Sequence, residues 1–325
     1  MAPAAAITPT PGMASPDPSH QHDRGHVPVL AREVLDLLSP RPGETYVDCT
    51  AGLGGHAGLV AERLVPGGRV ILADVDPANI AAAGEHVRRA APGVGVETFL
   101  GNFAMLPHHL ASTGVRADLV LADLGFASTQ VDDPARGLSF SREGPLDMRL
   151  DPSLPVSAAD LVASLPEGEL ARILDEYGEE RLARKVARAI VQARARGPLR
   201  TTAALADVVR SVVPRSGPTD PATRTFQALR IAVNDELGSL DALLAAIERE
   251  GVSGSPPWLS DRARVGIISF HSLEDRLVKT AFGRCEGRGW TDLSGGAVSP
   301  DADEREANPR ARSAKLRVIG RPNPV

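Results

Sequence analysis

Cysteine is nearly absent: Cys49 and Cys285 are the only two in 325 residues, too few for a disulfide framework. A chain of this length buries an ample core without such staples, so a reducing, cytoplasmic setting is the simplest expectation. Long apolar runs are missing as well. None approaches the roughly 18 residues that a membrane-crossing helix needs, so no membrane partner is expected. Residues 1–24 lack the basic start and unbroken apolar stretch of an export signal, and Pro3, Pro9, Pro11, Pro16 and Pro18 would break any helix there. They read as a disordered Ala/Pro-rich tail. An overall positive charge is lacking too: the formal net charge is −5, which taken alone does not suggest a nucleic-acid partner. What is present, 42% hydrophobic and 24% charged residues, fits a soluble globular protein of one large or two ordinary domains.

The average charge hides segregation. Between 181 and 230 there are eleven basic residues against Asp207 and Asp220, and from 305 to 325 six against Glu306. Such blocks keep an RNA partner in play.

Thr45-Tyr-Val-Asp48 reads as a short strand, followed by the glycine-rich turn Gly52-Leu-Gly54-Gly55-His56, a helix over 57–64 and a second strand over 70–74. This strand, turn, helix, strand order opens a doubly wound α/β sheet. Asp76-Pro77 starts a helix, with Asp76 as N-cap and Pro77 in the first helical position. Further strands are expected over 94–100, over 118–122 (apolar without alternation, hence buried on both faces), over 264–270 and near 314–319. From about 142 to 213 the texture is helical and rich in Ala, Arg and Glu, with no strand expected until 265, as an insertion between two strands of one sheet would be. The loops 251–261 and 287–305 are long and polar, and mobility is expected in both.

Gly52-Leu-Gly54-Gly55-His56-Ala57 satisfies a dinucleotide fingerprint in its G-x-G-x-x-A form, with Asp74 at the interval of a ribose-binding acid. By itself this admits an NAD-dependent oxidoreductase. Asp48, at the end of its strand and four residues before Gly52, suits a cationic ligand better than a pyrophosphate. S-adenosylmethionine has that character: Asp48 would serve its amino-acid end and Asp74 its ribose. In an open α/β sheet ligands lie beyond the carboxyl ends of the strands, so Asp48, Asp74, Asp123 and the Ser269-Phe-His271 corner converge on one crevice.

Nine stretches then carry a resemblance. They are His26-Val-Pro-Val-Leu30, Tyr46-Val-Asp-Cys-Thr-Ala-Gly-Leu-Gly-Gly-His56, Asp123-Leu-Gly125, Arg136-Gly-Leu-Ser-Phe140, Gly144-Pro-Leu-Asp-Met-Arg149, Tyr177-Gly-Glu-Glu180, Ala222-Thr-Arg-Thr-Phe-Gln-Ala-Leu-Arg-Ile231, Ile268-Ser-Phe-His-Ser-Leu-Glu-Asp-Arg276 and Arg312-Ser-Ala-Lys-Leu-Arg317. In these the sequence resembles the bacterial small-subunit ribosomal RNA cytosine-N4 methyltransferase family, the MraW/RsmH type. The resemblance implies a class I S-adenosylmethionine-dependent methyltransferase fold over 25–141 and 245–325, with 142–244 as a helical substrate-recognition insertion. It implies S-adenosylmethionine as donor and, as acceptor, a cytidine in the decoding centre of 16S rRNA within the small ribosomal subunit. Carried over by motif, the donor contacts are Gly54, Gly55, His56, Asp74, Phe103, Asp123 and Gln130. No metal is expected, and a homodimer is left open.

For the chemistry, Asp123 or the Leu124 carbonyl is expected to accept hydrogen bonds from the target amine, with Ser269 and His271 as second candidates for holding the base edge or taking a proton. Many amino-methyltransferases carry an Asp/Asn-Pro-Pro-aromatic turn here, from which Asp123-Leu-Gly departs. In the insertion, Leu182, Val186, Ala189 and Ala193 form an expected buried stripe, with Arg181, Arg184 and Arg188 opposite as phosphate contacts. Arg136, Arg149, Arg224 and Lys315 are further candidate RNA contacts. A non-catalytic RNA-binding assembly factor on the same fold is the remaining alternative.

Overall fold

The computed structural model describes residues 28–252 and 257–321. The expected 1–24 tail lies outside the described residues, as does part of the 251–261 loop. Seven strands form one sheet: β1 Thr45–Asp48, β2 Arg69–Asp74, β3 Gly95–Leu100, β4 Ala117–Asp123, β5 Leu259–Ser269, β6 Thr291–Asp292 and β7 Lys315–Gly320. Their order is β3-β2-β1-β4-β5-β7-β6. The first five run parallel, and β7 is antiparallel to both β5 and β6. That order, with a lone reversed strand next to the edge, is the Rossmann-like sheet of a class I methyltransferase.

Helices α1 Ala31–Leu38, α2 Gly55–Leu64 and α3 Pro77–Ala90 cover one face, packing Leu38, Val60, Leu64 and Val87 against Tyr46, Val70, Leu72, Leu119 and Leu121. The other face is covered by α4 Leu106–Thr113, α11 Glu236–Glu248 and α12 Ser272–Glu286, against Val47, Ile71, Val120, Val265 and Ile267. Successive residues of β1 and β2 therefore point into different cores, the period of two that a doubly covered strand requires. α3 starts as its sequence demands: Asp76 accepts the Ala78 N–H at 3.0 Å and Pro77 occupies the first turn.

Between β4 and α11 lie α5 Ser128–Asp132, α6 Ala158–Ser164, α7 Glu167–Glu176, α8 Ala183–Arg194, α9 Thr202–Arg210 and α10 Thr223–Asn234. Much of this block has its own apolar core around Leu146, Leu170, Val186, Ile190, Leu205 and Leu229. α11 spans the division expected at 244, and its Leu240, Leu243, Leu244 and Ile247 pack on the sheet.

Two further details differ from expectation. In α8 the buried stripe is Ala183, Val186, Ala187 and Ile190, so the helix is rotated toward a face that keeps Leu182, Ala189 and Ala193 half-exposed. The segment 287–305 is no irregular loop: it contributes β6 and α13 Ala302–Ala307, and the Asp292 carboxylate accepts the N–H groups of Ser294, Gly295 and Gly296. β5 also begins at Leu259, ahead of the expected 264.

Candidate active site

The crevice lies where β1, β2 and β4 end and the chain reverses. The Gly54 backbone sits in the left-handed region at φ 85°, and a Cβ there would lie 2.9 Å from the Ala83 Cα, so only glycine lets the turn nest against α3. The Gly52 N–H donates to Asp74 Oδ2 at 2.9 Å, and Asp74 Oδ1 accepts the Asp76 N–H at 2.9 Å. Asn79 adds a third bond to Asp74 at 3.2 Å. Burial pushes the Asp74 carboxyl up, against these donors that pull it down. The Gly101 N–H donates to the Asp74 carbonyl, bringing the Asn102-Phe103 turn beside it, where half-buried Phe103 packs on the sheet core.

Asp48 lies deeper than a direct ligand contact would require. It is 2% exposed, and its oxygens accept the Tyr46 hydroxyl at 3.0 Å and the Thr50 N–H at 3.1 Å. Burial pushes its carboxyl up to about 6, with the nearby His56 pulling in the other direction. Above it, His56 Nε2 stands 3.6 Å from Asp123 Oδ2. Neither His56 Nε2 nor Asp123 Oδ1 has a hydrogen-bond partner, although both atoms are buried. Among the described residues eight buried side-chain polar atoms lack a partner, and these two stand on neighbouring side chains where β4 and the glycine turn open the crevice. The Thr50 hydroxyl accepts the Asp123 N–H at 2.7 Å and ties β4 to the glycine turn.

Gln130, 6% exposed, donates to Asp76 Oδ2 at 3.1 Å while its own oxygen accepts the Ala127 N–H. Arg136 donates to the same Asp76 oxygen at 2.6 Å and to the Leu150 carbonyl. Asp76 was expected only as a helix cap; its second role could have been found from the two acids, Asp74 and Asp76, that the sequence sets around one turn.

Several expected residues are engaged elsewhere. Ser269 is 2% exposed and its hydroxyl donates to the Lys315 carbonyl at 3.4 Å. His271 caps α12: its Nδ1 accepts the Glu274 N–H, and Nε2 lies 3.2 Å from Glu274 Oε1, off the hydrogen-bonding direction. Burial alone would raise Glu274, but the proximity of His271 and the bond from the Phe270 N–H hold its carboxyl below the usual range. Arg149 bonds Asp147 through two nitrogens and the Leu154 carbonyl. Lys315 pairs with Asp275 at 2.8 Å, and Arg224 donates to the Glu179 carbonyl. Arg181 and Arg184 are exposed without a partner among the described residues, and Arg188 pairs with Glu167 at 3.4 Å.

Sequence reasoning missed a second cluster beside the Asp123 turn. The Arg230 guanidinium lies over the Phe126 ring, and Glu236 grips it through two bonds. Ligand atoms of Glu236, His271 and Glu274 fall within 4.8 Å of one another. Phe126 and Arg230 both stand in or next to stretches that the sequence had singled out, but nothing in their spacing says that they meet.

The crevice is thus lined by carboxylates, and Arg136, at its edge, is paired with Asp76. That electrostatic character fits a sulfonium and an ammonium and opposes a pyrophosphate, which disfavours the dinucleotide reading.

Comparison with known proteins agrees. A family model described as the MraW methylase family matches residues 23–322. A protein of Sorangium cellulosum named ribosomal RNA small subunit methyltransferase H is 48% identical over 94% of this chain and 94% of its own. Proteins with the same name from Geobacter sulfurreducens, 46% identical, and Trichlorobacter lovleyi, 44% identical, each align over 90% of this chain and 97% of theirs.

Proposed function

From its place in the MraW methylase family, to which this chain belongs, we propose that it transfers a methyl group from S-adenosylmethionine to ribosomal RNA of the small subunit. The acceptor is the exocyclic N4 amine of a cytidine in the decoding centre of 16S rRNA. The names of the relatives support the rRNA acceptor. The observation that carries the chemistry is Asp123, a carboxylate at the end of the central strand β4 with one buried oxygen left without a partner.

When bound, S-adenosylmethionine supplies a methyl group made electrophilic by its sulfonium. Gly54, Gly55 and His56 form the cradle, Asp74 and Phe103 serve the ribose and adenine side, and Gln130 steadies the outer turn through Asp76. Asp48 contributes its negative field from beneath rather than a direct bond. The N4 lone pair of cytosine is delocalised into the ring, so the amine is a weak nucleophile. Asp123 Oδ1 accepts a hydrogen bond from N4, which draws the lone pair out of conjugation and aligns it for attack. As the N–C bond forms, the methyl–sulfur bond breaks and S-adenosylhomocysteine leaves as the neutral thioether; the N4 proton passes to Oδ1, and the carboxylate, 26% exposed, returns it to solvent. His56 Nε2 stands 3.6 Å from Oδ2, on the other side of the same carboxylate. Holding amine and methyl in line supplies much of the acceleration, since effective molarities of oriented groups reach about 10⁵–10⁸ M. The block of residues 142–235 presents the RNA-binding face, with Arg181 and Arg184 as phosphate contacts.

The test is transfer of labelled methyl to small ribosomal subunits from cells lacking this enzyme, with the product nucleoside identified by mass spectrometry. N4-methylcytidine at one site is the expected product. A different methylated nucleoside, or none with subunits and naked 16S rRNA alike, would sink the reading.

A further inference from the structure

The turn after Asp123 carries an aromatic ring that the donor pocket does not use. Phe126 is 37% exposed, whereas both tryptophans of this aromatic-poor chain are buried. One side of its ring is occupied: the Arg230 guanidinium carbon stands 4.6 Å from the ring centroid. Arg230 cannot swing away, because its Nε and Nη2 bond Glu236 at 2.7 and 2.9 Å. The two side chains are only 14% and 12% exposed. Burial opposes the Arg230 charge, but Glu236 outweighs it and holds the guanidinium firmly protonated. Three elements therefore meet behind one ring: the β4–α5 turn, the end of α10 and the start of α11. Their convergence stiffens a flat apolar surface three residues beyond the carboxylate that faces the reacting amine.

A base whose exocyclic amine is to react must leave its stack, and aromatic side chains commonly replace the stacking it gives up. We propose that Phe126 is the platform on which the extruded cytosine ring of the target nucleotide stacks, with Arg230, clamped by Glu236, as its rigid backing. The inference rests on the reading of this site as an RNA cytosine methyltransferase and adds to it the residue that positions the acceptor. Phe126 acts through orientation, and Asp123 retains the proton.

Three variants test it: Phe126→Leu, Phe126→Tyr and Phe126→Trp. With unmethylated small subunits, Phe126→Leu is expected to lower kcat/KM by about 5- to 150-fold, the range that stacking of one base on one ring implies. Its affinity for S-adenosylmethionine and its melting temperature should stay at wild-type values. Phe126→Tyr, which keeps the ring, should restore most of the rate. In Phe126→Trp, the indole fluorescence should be quenched when free cytidine is added in the presence of S-adenosylhomocysteine. Wild-type kcat/KM in Phe126→Leu, or no quenching by cytidine, would overturn the platform. Loss of S-adenosylmethionine affinity by the same factor would also overturn it, by assigning the ring to the donor. If the wild-type enzyme methylates no subunit while cytidine still quenches Phe126→Trp, the platform stands and the assignment of the RNA acceptor is what fails.

Discussion

The two walls of the crevice are built in opposite ways. On the donor wall Asp48, Asp74 and Asp123 come from three strand ends: the Thr50 and Gly52 N–H groups donate to Asp48 and Asp74, and the Thr50 hydroxyl accepts the Asp123 N–H. In the proposed reading these carboxylates face the cationic ligand. The helical block carries eleven basic residues between 181 and 230, yet five of them are used inside the fold. Arg194 donates to the Val162 and Leu165 carbonyls, Arg210 pairs with Asp220, Arg230 with Glu236, Arg188 with Glu167, and Arg224 with the Glu179 carbonyl. Charge counted in a sequence window is therefore not charge offered to a partner. Acids at strand ends stay available because the sheet topology holds them at its crest, while arginines on packed helices are drawn to the nearest carbonyl or carboxylate.

Breaking the donor wall at its reactive point should have the largest effect. Asp123→Ala removes the oxygen proposed to take the N4 proton, and kcat is expected to fall by about 10²–10⁴-fold. Binding of S-adenosylmethionine, followed by calorimetry, should change far less. A kcat within a few-fold of wild type would reduce Asp123 to a turn residue. Next comes the turn itself. Gly54→Ala combines a positive φ of 85° with a Cβ 2.9 Å from the Ala83 Cα, so the turn must move away from α3. A loss of about 2–4 kcal/mol in denaturant unfolding is expected, together with weakened donor binding. Gly52→Ala is the control: φ is 49° but the nearest atoms lie at 3.9 Å, so only the backbone strain, about 1 kcal/mol, should appear. Equal losses at the two positions would mean that the close approach to α3 does not matter.

The same contrast explains what could be read from sequence. The parallel strands, the glycine turn and the α3 cap are local patterns, and the apolar β4 announced its two buried faces within seven residues. Asp48, Asp74 and Asp123 were legible because each ends a strand, and strand ends of a doubly wound sheet share one edge. Ser269 and His271 sit at such an end too, yet their side chains turn into the fold, a matter of rotamer and neighbour that spacing does not report. The Phe126, Arg230 and Glu236 cluster was illegible for a related reason. Its members lie on separate elements, and only the packing of α10 and α11 against the Asp123 turn brings them together. In α8 the stripe was off by one position because Ala is apolar enough to fit either face, so the periodicity alone did not set the rotation.

Asp48→Asn sharpens the comparison by using pH. The folded carboxyl is raised to about 6, against 3.8 for a free one, so the folded state binds the proton more tightly than the unfolded state. The contribution of this proton to stability is complete below about pH 4 and is lost as pH rises through about 6. Above that, the wild type holds a buried anion at a cost on the order of 3 kcal/mol. The stability margin of Asp48→Asn over wild type, measured by urea unfolding, should therefore grow between about pH 4 and 6.5 and then level off. Affinity for S-adenosylmethionine should weaken in the variant above pH 6, where the negative field has been removed. A margin that is flat with pH would mean that Asp48 is solvated enough to titrate normally.

The smallest effect belongs to the helical block and separates arginines that hold the fold from arginines that meet RNA. Arg184 is exposed and has no partner among the described residues, whereas Arg194, ten residues along the same helix, is committed to two carbonyls of α6 and its end. If Arg184 neutralises one phosphate, Arg184→Ala should leave the melting temperature unchanged and reduce the slope of log affinity against log salt by about 0.7, the value for a single strand. Arg194→Ala should do the reverse, lowering the melting temperature because two carbonyls lose their donor, with little change in the salt slope. Filter binding to 16S rRNA over a salt series, paired with thermal melts, reads both quantities. An unchanged slope in Arg184→Ala would show that this face is merely solvated and would move the phosphate contacts to the remaining exposed cations of the block, Arg181, Lys185, Arg196, Arg200 and Arg215.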